Sequence, residues 1–189
     1  MDISGELSGI RTSQLRELDE LLKLKTDRSE LINLVLAEGL ARLTHTWNRE
    51  IAVYINRSGS VAGAAVGRHA SVVLPKLKGR ATARQLRCIH THPNGSSKLS
   101  DVDFSALRAL ELECMAAIGT LNGQILGFEV AFQFESTVEV IRLNAEELPT
   151  FNPLRISFTK PFLPNRKERP GEEEKAFLLG LENNPELGR

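Results

Sequence analysis

The chain has 189 residues, with 24 Lys plus Arg against 24 Asp plus Glu and a formal net charge of zero. That length supports one domain with a real core and some tail, and the zero balance argues against a nucleic-acid phosphate backbone as main partner. Hydrophobic residues at 41% and charged residues at 25% match a soluble globular chain. No apolar run reaches the ~18–20 residues of a membrane span. Met1 to Gly9 carries no basic stretch followed by an apolar core, so no signal peptide is expected and the default compartment is the cytoplasm. Cys88 and Cys114 fit that setting as reduced, packed thiols.

In chain order, leucines at 15, 18, 21 and 22 share one helical face and predict a helix over 14–24. Asp27 with Glu30 resembles a capping box and predicts a second helix from about Asp27 to Trp47. Its expected apolar stripe is Leu31, Val35, Leu36, Leu40 and Leu43. Ile51 to Ile55 and Val61 to Val66 then read as a hairpin across the turn Arg57-Ser-Gly-Ser60. Ser71 to Leu74 predicts a further strand, Lys76 to Arg84 an exposed basic loop without the aromatic residues that stack on bases, and Arg87 to His92 a strand stopped by Pro93. A helix is expected over about 101–113, with Phe104, Leu107, Leu110 and Leu112 facing the core. Met115 to Leu121 and Ile125 to Phe134 flank Asn122-Gly123, a strong hairpin signal, and Thr137 to Leu143 adds one more strand.

Beyond about residue 150 the prolines at 149, 153, 161, 164 and 170 and the charged run 165–175 predict a linker. The division expected is a first domain over 1–150, a linker over 151–172, and at 173–189 the start of a truncated second domain.

The segment from His90 to Asp103 carries the chemistry. His90 and His92 are two of only four histidines in the chain, and two residues apart in a strand they point to the same side. Asp103 falls in the first turn of the helix that follows. Two His and one Asp leave a fourth tetrahedral position open for water, the arrangement of catalytic zinc. Hydrolysis at such a site needs a general base, and Glu50, at the junction of the long helix and the first hairpin strand, is the candidate. Ser100 offers a hydroxyl to steady an oxyanion. Each residue also has an ordinary reading. Ser100-x-x-Asp103 is an acceptable helix cap, Glu50 a solvated junction residue, Asp101 a rival to Asp103, and Cys88 a packed neighbour on the His90 face. His45 and His69 match nothing.

His-x-His-Pro, six residues, then Ser-x-x-Asp is similar to the motif of the JAMM (MPN-plus) metallopeptidases, matched here by His90, His92, Pro93, Ser100 and Asp103. The resemblance implies zinc held by His90, His92 and Asp103, Glu50 as general base and Ser100 at the oxyanion. It also implies an α/β fold, a mixed sheet flanked by helices in a JAMM/deaminase-like three-layer architecture, and a peptide or isopeptide substrate. Asn48 to Ile55, Arg87 to Gly95 and Leu99 to Arg108 further resemble the extra N-terminal region of HflX-type GTPases, and Glu173 to Glu182 resembles the start of the domain that follows it. This implies partnership with a GTPase domain and with the large ribosomal subunit. The chain itself has no Gly-x-x-x-x-Gly-Lys-Ser/Thr phosphate loop. The alternative is a non-catalytic, metal-stabilised module that regulates the GTPase or contacts the ribosome.

Overall fold

A computed structural model describes residues 3–67, 86–134 and 137–153. Its strands are β1 (Ile3–Gly5), β2 (Ile51–Asn56), β3 (Val61–Val66), β4 (Leu86–His92), β5 (Cys114–Leu121), β6 (Gln124–Phe134) and β7 (Thr137–Asn144). Its helices are α1 (Thr12–Leu21), α2 (Leu34–Trp47) and α3 (Asp101–Ala109), followed by a 3-10 turn at Ala145–Thr150. The strands form one seven-stranded sheet in the order β1-β3-β2-β4-β5-β6-β7. Pairing is parallel at β1/β3 and β4/β5 and antiparallel elsewhere. The chain is therefore α/β, with a mixed sheet flanked by helices.

Alternation along the strands divides the interior in two. Val53, Ile55, Ile89, Ala116, Ile118, Phe128 and Val130 face α1 and α2, where Leu18, Leu36, Leu40 and Leu43 close a large core. Ala52, Tyr54, Cys88, Met115, Ala117 and Ala131 face the other way, beneath Leu107, Leu99 and Leu112. Helices thus cover both faces of the sheet, as expected of three layers.

Most expected elements are present within one or two residues. The turn between β5 and β6 has Asn122 at φ 51° and Gly123 at φ 76°, the left-handed pair of a tight hairpin. Four differences have physical causes. First, α2 starts at Leu34 rather than near Asp27. Leu31 and Ile32 are buried in a bend that precedes the helix. The Arg87 guanidinium donates to the carbonyls of Glu30 and Leu31, and Asn33 caps the helix by accepting from the Leu36 N–H at 3.2 Å. Asp27 and Glu30 still bond as in a capping box, Asp27 N–H to Glu30 Oε2 at 3.3 Å, but they close a turn. Second, Val35 lies on the outer face, 58% exposed. Third, α3 stops at Ala109. Glu111 turns left-handed at φ 54° and swings Leu112 back into the core. Fourth, β1 was not foreseen. The expected strand 71–74, the basic loop 76–84, most of the linker 151–172 and the segment 173–189 lie outside the described residues.

One close approach ties the fold to its loops. Gly119 sits beside His92 in the β4/β5 ladder, and a Cβ there would come within 2.6 Å of the Gly95 carbonyl oxygen and 2.8 Å of Ser97 N. Those are backbone atoms, so the loop over 93–97 would have to lift. Gly119→Ala is expected to cost ~1–3 kcal/mol of stability and to loosen that loop, measured by denaturant unfolding and by amide exchange at Ser96 and Ser97.

Candidate metal centre

Strand register builds the site. His90 stands opposite Ala52 on one side and Ala117 on the other. His92, two residues on, takes the same face at the strand end. Glu50 lies two residues before Ala52, so it continues the β2/β4 register to a place beside His92. The loop over 93–99 then returns the chain, and α3 begins with Asp101.

The three donors converge. His90 Nε2 and His92 Nε2 are 3.0 Å apart, and Asp103 Oδ1 lies 3.4 Å from His90 Nε2. All three ligand atoms fall within 4.8 Å of one another. Around tetrahedral zinc, bonds of ~2.0–2.1 Å place ligand atoms ~3.3 Å apart. Two of the separations meet that value, and a small side-chain closure would bring in the third.

The tautomer at His92 is fixed by its partner. His92 Nδ1 lies 2.9 Å from the Ser96 carbonyl oxygen, which can only accept. Nδ1 therefore donates its proton, and Nε2 presents a lone pair to the cluster. His90 is 3% exposed. Burial pushes its pKa down to about 4, against the pull of Asp103 and with the help of His92. A neutral imidazole is the form that ligates metal.

Asp103 divides its two oxygens between two tasks. Oδ2 accepts from the Ser100 N–H and the Ser100 hydroxyl, each at 2.7 Å, while Ser100 Oγ accepts from the Asp103 N–H at 3.2 Å. This is a capping box at the start of α3. Oδ1 remains directed at His90. The cap and ligand readings of Ser100-x-x-Asp103 are thus compatible. Asp101 is exposed and outside the donor cluster.

Glu50 is 8% exposed, and its Oε1 lies 4.0 Å from His92 Nε2. Burial first, and the neighbouring Asp103 charge second, push its pKa up to about 7. It is not the solvated junction residue of the ordinary reading. Ser100 is brought to the edge of the cluster, with its hydroxyl engaged by Asp103. Cys88 lies outside the donor cluster: it packs beside Tyr54, and burial pushes its thiol up to about 12. Burial raises Cys114 as well. His45 is exposed, and His69 lies outside the described residues.

Sequence reasoning missed the supports. Thr91, between the two histidines, points to the opposite face and is fully buried. Its Oγ1 accepts from the Ile51 N–H at 3.0 Å and lies 2.5 Å from Thr44 Oγ1. It therefore pins the backbone next to Glu50 against β4 and α2. Alternation along the strand could have flagged it as a buried polar residue. Nothing local in the sequence distinguishes Ser96, or Glu129, which accepts from the Leu99 N–H at 2.6 Å.

Compared with known proteins, the chain matches no family model, no curated protein and no solved structure.

The two shifted groups give opposite pH slopes in the metal-free chain. His90 falls from 6.5 to about 4 on folding, so stability is lost as pH drops through that window. Glu50 rises from 4.5 to about 7, so stability is lost as pH climbs through its window. Between pH 4.5 and 6.5 these two contributions oppose one another. Glu50→Gln removes one slope, and its stability in chelator is expected to climb across that range by up to ~1.4 kcal/mol per pH unit. Chemical denaturation at several pH values checks this. Parallel wild-type and variant profiles would assign Glu50 an ordinary carboxylate pKa.

Proposed function

We propose that this chain is a zinc-dependent hydrolase of amide bonds, a JAMM-like peptidase or isopeptidase, with His90, His92 and Asp103 as ligands and Glu50 as general base. The observation that carries this reading is the placement of Glu50. A buried carboxylate stands 4.0 Å from one member of a His-His-Asp donor set. A purely structural metal site has no use for such a group, whereas a general base must stand within reach of the attacking water, directly beside the donors.

Zinc held by these residues would polarise a carbonyl and bring the pKa of water down to about 7. Glu50 Oε1 is placed to take the proton of an attacking water and hand it to the leaving nitrogen. His92, with Nδ1–H on the Ser96 carbonyl, keeps Nε2 directed inward. Ser100 holds Asp103 through two hydrogen bonds. To serve an oxyanion, as the family resemblance implies, its hydroxyl would have to turn away from Asp103 Oδ2.

That engagement favours a second reading, a metal-stabilised module without turnover. In either case the resemblance to HflX-type proteins points to a cytoplasmic setting, a GTPase domain as partner and the large ribosomal subunit as a contact. Among the described residues, no helix is long and apolar enough to cross a membrane.

The test begins with metal content. The purified chain is expected to carry about one zinc, as a three-residue catalytic site would, and His90→Ala/His92→Ala to carry none. Glu50→Gln should retain the zinc and lose ~10²–10⁴-fold in turnover of fluorogenic peptide and isopeptide substrates. A wild type that holds no zinc after loading and desalting overturns both readings. Zinc that raises the melting temperature without any turnover selects the second.

A further inference from the structure

Glu129 is a buried acid that the proposed reaction does not use. It lies in the middle of β6 at 2% exposure. Its partners in the ladder are Ala117 on β5 and Arg142 on β7, and Ala117 in turn pairs with His90. His90, Ala117, Glu129 and Arg142 therefore form one row across the sheet. Directly paired residues share a face, so Glu129 opens toward α3, as His90 does.

Its two oxygens accept from two different elements. Oε1 takes the Arg142 Nε–H at 2.7 Å, and Oε2 takes the Leu99 backbone N–H at 2.6 Å. Leu99 is itself buried beneath α3. The next residue is Ser100, whose N–H and hydroxyl hold Asp103 Oδ2, leaving Oδ1 3.4 Å from His90 Nε2. A continuous set of bonds thus runs from the sheet floor to the third metal donor.

The geometry points to Glu129 as a positioning residue of the metal centre: by gripping the Leu99 N–H it fixes the loop–helix junction that aims Asp103 at His90. The inference rests on the metal-centre reading above and adds to it a support outside the donor set. The residue type follows from the partners. Both groups that meet at Glu129 are N–H donors, so only an acceptor on each oxygen satisfies them. Glutamine would accept from one and turn a donor toward the other. Burying an acid is costly unless it is paired and hydrogen-bonded, and Arg142 supplies the pairing from a side chain that is itself 77% exposed.

The experiment measures zinc affinity by chelator competition and the visible spectrum of the cobalt(II)-loaded chain. Wild type, Glu129→Gln, Arg142→Leu and His90→Ala are compared. Glu129→Gln is expected to weaken zinc binding ~10–100-fold and to alter the cobalt bands, because Asp103 is no longer held in place. Arg142→Leu removes the partner of Oε1, a side chain that is 77% exposed, but leaves the Leu99 bond on Oε2; it is expected to lower the melting temperature while the cobalt bands stay close to wild type. A general loss of stability would lower the melting temperature without changing the cobalt spectrum. Unchanged affinity and spectrum in Glu129→Gln overturn the inference. So does an equal loss in Arg142→Leu, which would assign the effect to β6/β7 pairing. Should Glu129→Gln fail to fold, Glu129→Asp keeps the charge but draws it one methylene back from Leu99, and the same two readouts decide. Wild type and His90→Ala that both fail to bind zinc overturn the metal-centre reading, and this inference with it.

Discussion

The site depends on how β4 is held. This strand lies between β2 and β5, and each of its residues must satisfy one face or the other. Ile89 and Thr91 go toward α2, while His90 and His92 go toward α3. Thr91 makes the division secure. Its hydroxyl meets Thr44 on α2 and the Ile51 N–H on β2, so a slip of β4 by one residue would bury two imidazoles among leucines and turn Thr91 out. Such a slip exchanges every side chain between faces. The register that builds the core therefore also builds the donor pair, and the same clamp fixes the first residue after Glu50.

The cost of this arrangement falls on the metal-free chain. His90 is held neutral by burial, Glu50 is burdened by burial and by the Asp103 charge, and two carboxylates and two imidazoles share a small space. Ionisable groups gathered and buried in this way destabilise a fold. A cation among them would offset these penalties, since neutral imidazoles donate to it and both carboxylates are attracted by it. Metal affinity and folding stability are linked through these same groups.

How much of this was legible follows from how local each signal is. His90 and His92 were readable because strand alternation is a two-residue rule, and Asn122-Gly123 because its left-handed backbone needs those residue types. Asp103 was picked out by the spacing of the motif it resembles, while its cap pattern argued for an ordinary helix start; the two agree because cap and cluster use different oxygens of one side chain. The start of α2 was misread because Asp27 and Glu30 form the local bonds of a cap inside a turn. What places the helix boundary is Arg87, far along the chain, taking the carbonyls of Glu30 and Leu31. Glu129 shows the same limit. A lone acid in an apolar strand reads as an exposed residue until the sheet sets it in the row of His90 and Arg142.

Non-local support of this kind explains why the proposed centre needs so much of the domain. Glu50, the histidines and Asp103 come from three segments, and no two segments are joined by a short rigid link. Register fixes Glu50 against His92. The Ser96 carbonyl fixes the His92 ring, and the approach of the 93–97 loop over Gly119 fixes that carbonyl. Ser100 fixes Asp103, and Glu129 fixes the residue before Ser100. His92 and Asp103 are thus each oriented by a hydrogen bond with a group outside the donor set, which is how outer contacts set the geometry of a metal site. A loose cluster of acids and imidazoles at a surface would show no such second layer. Here that layer exists around His92 and Asp103, so a group of residues that could hold a metal ion is held by contacts that reach across three segments of the fold.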